Sequence, residues 1–297
     1  MLAKLLRLTI AMQMAVGALL GYWLANKSMG FAAMVLQVAL CALAAPLLGN
    51  LLTVVYSFMR SRNGESTALW CKALAGECLA SVQVFLLRQP WAFAPPVLQP
   101  SVEVPQRVPV LLVHGFLCNH RVWDVLVPAL LRQGHTVLAV NLEPPFTSID
   151  DYAAMLEQAV QTLRQQTGQA QVALIGHSMG GLAIRAWLRR YGSEQAAKVI
   201  TLGTPHVGTQ IKARVVPPNG LQASWQSAWL QALAAAETDD RRSLFCIGLS
   251  AQDNIVYPQR AQTLPGVVPK VFEGVGHLQL CKAPEVAAWV TSELALL

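Results

Sequence analysis

The sequence predicts an α/β fold, a mostly parallel sheet covered by helices on both faces, preceded by an N-terminal helical membrane hairpin. Three observations carry that reading. Two long uncharged apolar runs open the chain, a proline-rich stretch follows, and from residue 107 onward short β-branched runs alternate with amphipathic stretches. Short apolar strands alternating with helical periodicity build parallel sheets buried on both faces.

The first run, Leu8 to Ala25, and the second, Phe31 to Met59, carry no charge, and only Asn26 to Gly30 separates them. Each can cross a hydrocarbon core, which takes about 20 residues of helix. So short a connection makes them a hairpin. An apolar fraction of 54% with 13% charged residues agrees with a membrane segment. Every charge before Glu65 is basic (Lys4, Arg7, Lys27, Arg60, Arg62), whereas the rest of the chain is nearly balanced. The net charge therefore flanks the apolar runs instead of covering a globular face, which leaves no basic surface for nucleic acid. With two basic residues before the hairpin, two after it and Lys27 alone at its tip, the positive-inside rule places both ends in the cytoplasm. A cleaved signal peptide is the competing reading, but the one small-residue site of suitable form, Ala42-Leu43-Ala44, lies inside the second run.

Residues 66 to 88 form a third helical stretch in which Lys72, Glu77 and Arg88 interrupt the apolar positions, suited to lying on a surface. Pro90, Pro95, Pro96, Pro100 and Pro105 then resist helix and sheet alike, so 89 to 106 is expected to be an extended linker. The expected organisation is a hairpin at 1–62, an amphipathic helix and linker at 63–106, and an α/β domain at 107–297.

Within that domain, Val108 to Val113 predicts a buried strand ending at His114-Gly115. Trp123, Leu126, Val127, Leu130 and Leu131 then line one helix face. Thr136 to Val140 follows as a strand. Ser148, Asp150 and Asp151 start a helix that runs to about Gln166, the acids complementing its positive end. Strands are predicted at Gln171–Ile175, Lys198–Leu202, Leu244–Leu249 and Val268–Phe272, and helices at Met179–Tyr191 and Pro284–Leu296. Residues 210 to 236, with Trp225, Leu230 and Leu233 and few charges, are either a mobile lid over an acyl pocket or a helix packed permanently on the sheet.

Gly176-His177-Ser178-Met179-Gly180 fits G-x-S-x-G between a predicted strand and a predicted helix, where a strained turn would expose the Ser178 hydroxyl as a nucleophile. His114-Gly115-Phe116 ends an earlier strand, so the backbone N–H groups of Phe116 and Met179 are the candidates for an oxyanion hole. His114 itself precedes the nucleophile and reads better as a turn histidine. A base is sought after Ser178, where His206 and His277 stand. His277, in the glycine-flanked loop Gly274-Val275-Gly276, can lower its ring over the nucleophile. His206 would instead shape the pocket wall, a tentative role also given to His114 and Trp225. The orienting acid is expected at Asp253, after the strand ending near Leu249, since Asp239 and Asp240 beside Arg241 and Arg242 read as a solvated cluster.

The six cysteines are too few and too irregularly spaced for a disulfide scaffold or a zinc site; Cys246 and Cys281 fall on segments that could approach one another and form one bridge. His114-Gly115-Phe116, GHSMG at 176–180, Leu202-Gly203-Thr204-Pro205-His206 with Gly208-Thr209, Asp253 and Gly276-His277 together resemble the bacterial lipases and esterases of the α/β-hydrolase superfamily. The resemblance covers about residues 107–297. It implies that superfamily's fold, hydrolysis of carboxylic esters with an apolar acyl part, no cofactor, and, with the hairpin, a bacterial inner-membrane protein whose hydrolase domain faces the cytoplasm. The N-terminal hairpin lies outside the family core. A thioesterase, amidase or acyltransferase would use the same residues, and a non-catalytic membrane adaptor could retain the fold.

Overall fold

A computed structural model describes residues 1–25, 29–95, 97–100, 106–210 and 216–297. The apolar runs form α1 (Leu2–Leu24) and α2 (Phe31–Ser61), packed side by side. Small residues set their approach. A side chain at Gly17 would meet the Cys41 carbonyl at 2.3 Å, so the two backbones approach as closely as only glycine allows. The Gln37 side-chain amide donates to the Gly21 carbonyl at 3.1 Å, further tying the pair. Lys27 and the middle of the connection lie outside the described residues.

The third apolar stretch forms α3 (Thr67–Ser81), continued by a π-helical turn at Val82–Arg88. It does not lie free on a surface as expected. Trp70 packs edge-on against Phe58 of α2, and Ala80 and Val84 complete an apolar cluster on one face of the sheet. Glu77, read from sequence as a polar interruption, is buried against residues 276–279. The linker expectation also needs correction. Gln89–Trp91 is a 3-10 turn whose Gln89 is buried and hydrogen-bonded to Asn119, and Val97–Leu98 forms a short strand, β1. Proline is compatible with an edge strand, which leaves one row of amides unpaired. Pro96 and Pro105 lie outside the described residues.

The sheet strands that follow are β2 (Arg107–Val113), β3 (His135–Val140), β4 (Val172–His177), β5 (Ala196–Leu202), β6 (Phe245–Ser250) and β7 (Lys270–Phe272). They lie in the order β1-β3-β2-β4-β5-β6-β7, and every pairing is parallel except β1 with β3. The helices are α4 (Leu126–Arg132), α5 (Tyr152–Thr167), α6 (Met179–Tyr191), α7 (Pro218–Gln222), α8 (Ala228–Ala235), α9 (Asp239–Ser243) and α10 (Pro284–Leu294). One core, with Leu156, Trp187 and Leu230, sits between the sheet and α5, α6 and α8. The other, with Leu130, Leu280 and Val290, sits under α4 and α10. This is the expected mostly parallel sheet covered on both faces. Register places Val113 opposite Gly176 and His177 opposite Leu202, so the carboxyl ends of β2, β4 and β5 form one row. Such a row is where open α/β sheets carry their sites.

Within 210–236, residues 211–215 lie outside the described set, and the remainder is packed on the sheet's helical layer. Leu230 and Leu233 are buried in the first core, Gln222 bonds the Ile149 amide at 2.7 Å, and the Trp229 indole donates to Asp150 at 2.8 Å. The Cys246–Cys281 bridge is not formed. The Cys246 thiol donates to Glu293 instead, and all six cysteines are free.

Candidate active site

β4 enters α6 through a turn in which Ser178 has φ 54° and ψ −128°. A non-glycine residue held there is strained, and the neighbours enforce it. A side chain at Gly176 would meet the backbone of Gly181 at 2.6 Å, and one at Gly180 would meet the Val113 carbonyl at 2.1 Å. No larger residue fits either place, and the Ser178 amide is fixed to the Leu202 carbonyl at 2.8 Å. The turn after β2 lies directly against the serine. A side chain at Gly115 would come within 2.7 Å of Ser178 Cβ and 3.3 Å of its Oγ. Met179 stands at the amino end of α6 beside this turn and is buried, while Phe116 is part-exposed and contacts Phe146 edge-on.

His277 follows β7, and its Nδ1 lies 2.7 Å from Asp253 Oδ2. The other Asp253 oxygen accepts the amides of Ile255 and Val256 at 2.8 and 2.7 Å, which fixes the carboxylate in one orientation. Burial disfavours a charge on His277, but the facing Asp253 carboxylate outweighs it, so the imidazole is held above its ordinary value. Asp253 and His277 are thus in contact. With Ser178, His277 lines a cavity of about 270 Å³ whose walls are mainly apolar.

Three further side chains hold the histidine, and sequence reasoning missed them. Asn254 Oδ1 accepts the His277 amide at 3.1 Å. The His177 ring lies 4.5 Å from that of His277, with its Nε2 3.1 Å from the His277 carbonyl. Burial, then the nearby His277, keeps His177 well below its usual value, so it stays neutral. Glu77 of α3 accepts the amides of Leu278 and Gln279 at 2.9 and 3.1 Å, and burial pushes its carboxyl up to about 7. Asn254 and His177 are each adjacent in sequence to a residue already singled out. Glu77 gave a different signal, a lone acid in an apolar helix, which marks either an exposed position or a purchase on something buried.

None of the three tentative pocket residues, His114, His206 and Trp225, lines this cavity. His114 is a turn histidine. Its Nδ1 lies 2.8 Å from the Gly115 carbonyl, its Nε2 accepts the Leu142 amide at 2.9 Å, and burial lowers it to about 4. His206 is buried beside Phe245 with its Nε2 2.9 Å from Thr201 Oγ1. Trp225 is pinned by its amide to the Thr209 carbonyl at 2.9 Å. Backbone-proximal hydrogen bonds close at hand claimed each of them. A second cavity, of about 600 Å³, lies along β6 and β7 beside Lys270, Trp289 and Glu293, away from Ser178, Asp253 and His277.

Residues 108–238 match a family model described as the alpha/beta hydrolase fold. A triacylglycerol lipase of Burkholderia plantarii is 30% identical over 186 residues, covering 58% of this chain and 50% of that protein. One of Pseudarthrobacter phenanthrenivorans is 32% identical over 138 residues, covering 42% and 43%. The chain therefore spans about half the length of these curated relatives. Among solved structures, Aspergillus fumigatus lipase B superposes with a TM-score of 0.58 at 14% identity, covering 96% of this chain and 85% of that one. A mature Bacillus licheniformis lipase superposes with 0.56 at 17% identity, covering 67% and 95%. Identities this low speak to fold alone.

Proposed function

We propose that this chain, which has the α/β-hydrolase fold and a lipase- and esterase-like sequence, is a membrane-anchored serine hydrolase of carboxylic esters with an apolar acyl part. The observation that carries the reading is the Asp253–His277 hydrogen bond of 2.7 Å, whose histidine lines the same cavity as Ser178, itself held in a strained turn. Ser178 Oγ attacks the ester carbonyl while His277 Nε2 takes its proton. Asp253 keeps Nδ1 protonated and stabilises the imidazolium without accepting that proton itself. The amides of Met179 and Phe116 are the proposed donors to the oxyanion. His277 then returns its proton to the leaving alcohol, and the same base activates the water that frees the acid from Ser178.

Anchoring rests on α1 and α2, both long and apolar enough to cross a bilayer. α3 with its continuation also meets that length and composition, but its Glu77 and Trp70 faces are buried in protein, so it belongs to the hydrolase body. By the charge bias, the hydrolase body stands on the cytoplasmic side of a bacterial inner membrane.

The test is labelling of the purified full chain by a fluorophosphonate, with Ser178→Ala in parallel. The expected result is labelling and ester turnover in the native chain and neither in the variant. Labelling that persists in Ser178→Ala would overturn the assignment of the nucleophile. Ester, thioester and amide substrates offered side by side separate a hydrolase of esters from a thioesterase, an amidase or an acyltransferase on the same residues.

A further inference from the structure

The cavity at Ser178 is closed on one side by the membrane hairpin itself. Thr53, Val54 and Ser57 of α2 line it, and Ser57 Oγ accepts from Asn254 Nδ2 at 2.8 Å, the same Asn254 that holds the His277 amide. These residues share two helical turns with Leu52, Tyr56 and Met59, which are 66%, 60% and 73% exposed on the outer face. One length of α2 therefore faces the cavity on one side and the surroundings on the other.

With α1 and α2 anchored as proposed, that length falls at the level where a bilayer meets water. α2 has 31 residues, about 46 Å of helix, which exceeds a hydrocarbon core of about 30 Å by several turns. α1 runs antiparallel to it, with Gln13 against Gly49 and Gly17 against Cys41, so residues 53–57 lie opposite the first turns of α1 that carry Lys4 and Arg7. Around this level Arg7 stacks over Trp91 at 5.9 Å and Arg60 over Tyr56 at 5.9 Å, and Trp91 is exposed. Basic and aromatic side chains so collected are the belt that membrane proteins place at the headgroups. Phe116 and Ile255, both part-exposed and apolar, stand at the same cavity.

We infer that α2 is at once anchor and pocket wall, and that the substrate is a long-chain acyl ester resident in the leaflet at the α2 carboxyl end, its chain entering past Thr53 without leaving the bilayer. The inference rests on the proposed hydrolase reading and names the substrate class for that same site. A cavity of about 270 Å³ is at the small end for a pocket that encloses a whole drug-sized ligand, about 300–1,000 Å³. It encloses the reacting end of one acyl chain, and the lipid phase holds the rest. Basic residues at the belt add attraction to anionic headgroups.

The test reconstitutes the full chain into phosphatidylcholine vesicles with and without phosphatidylglycerol. It compares a fluorogenic palmitoyl ester dissolved in the bilayer with the water-soluble butyryl ester of the same fluorophore. Thr53→Trp, at the mouth, is expected to lower the palmitoyl-to-butyryl ratio of kcat/KM by about tenfold or more, within the range that pocket contacts discriminate. Leu52→Trp, one residue away on the outer face, is expected to leave the ratio as in the native chain. An unchanged ratio in Thr53→Trp, or an equal fall for both esters, would overturn the inference while Ser178-dependent turnover kept the hydrolase reading intact. Loss of all turnover in Thr53→Trp is resolved by Thr53→Ala, which must shift the ratio toward the palmitoyl ester. No Ser178-dependent turnover of either ester by the native chain would remove the hydrolase reading and this inference with it. Palmitoyl turnover is expected to rise on adding phosphatidylglycerol, and equal turnover in both vesicles would overturn the part given to the basic belt.

Discussion

Glu77 reaches the loop of the proposed base from a helix outside the 107–297 domain and holds the two amides that follow His277. Replacing it by Leu strands two buried donors, at about 1–3 kcal/mol each, and releases the turn that aims the imidazole. Glu77→Leu is therefore expected to slow fluorophosphonate labelling more than tenfold, by order of magnitude, and Glu77→Gln, which keeps an acceptor, to slow it much less. A pH profile distinguishes positioning from mere support. His277 must be neutral to act as the proposed base, and the facing Asp253 and Glu77 carboxylates hold it above its ordinary value of 6.5, with His177 beside it. The rate should thus rise with pH through a midpoint above 6.5 and then level off. Removing the Glu77 charge should move that midpoint to lower pH, whereas a purely structural residue would lower stability and leave the midpoint in place. Asp253→Asn should move it the same way and reduce kcat by about 10⁴, as it does in triads of this kind. Chain order and strand ends point in the sequence to residues 178, 253 and 277 as the proposed nucleophile, acid and base, of which Asp253 and His277 are in contact. Glu77 was not legible, because it is 201 and 202 positions from the residues it holds and its neighbours spell an ordinary apolar helix.

At the scale of elements, the strands and helices from β2 onward were legible to within a few residues, since buried parallel strands are short apolar runs and their helices keep a 3.6 period. What escaped were pieces stabilised by tertiary contact. β1 is only two residues long and exists because β3 offers an edge. α7 and α8 are too short to form by propensity, and are held by Gln222, Trp229 and the buried pair of Arg185 with Glu237, whose side chains are 0% and 7% exposed. Breaking a buried pair leaves an uncompensated charge and costs about 3–5 kcal/mol. Glu237→Ala should lower the Tm by on the order of 10 °C, followed by circular dichroism in detergent. A freely opening lid would predict the opposite, a variant as stable as the native chain, because an element that opens at little cost contributes little to the fold.

At the scale of the whole molecule, the hairpin and the α/β body share their contacts more closely than a tether and its cargo would. Gln259 bonds the Ser61 carbonyl at 3.0 Å and the Asp253 carbonyl at 2.8 Å, Asn63 bonds Gln259 at 3.0 Å, and Asn254 bonds Ser57. The end of α2 is thereby joined to the loop that carries the proposed acid. α3 and its continuation supply Ala80 and Val84 to the core beneath the sheet, so a chain begun at residue 107 would expose that core and lose Glu77 as well. Such a chain is expected to aggregate. A chain begun at residue 64 keeps α3, and should stay folded yet lose the α2 wall and the Ser57 contact. Size-exclusion chromatography and labelling rate separate the two cases: the longer truncation fails on the first measure, the shorter one passes it and labels more slowly than the full chain. Native labelling by a chain begun at 107 would mean that the N-terminal third is only an anchor, and that the contacts binding it to residues 253–279 have no part in placing the imidazole.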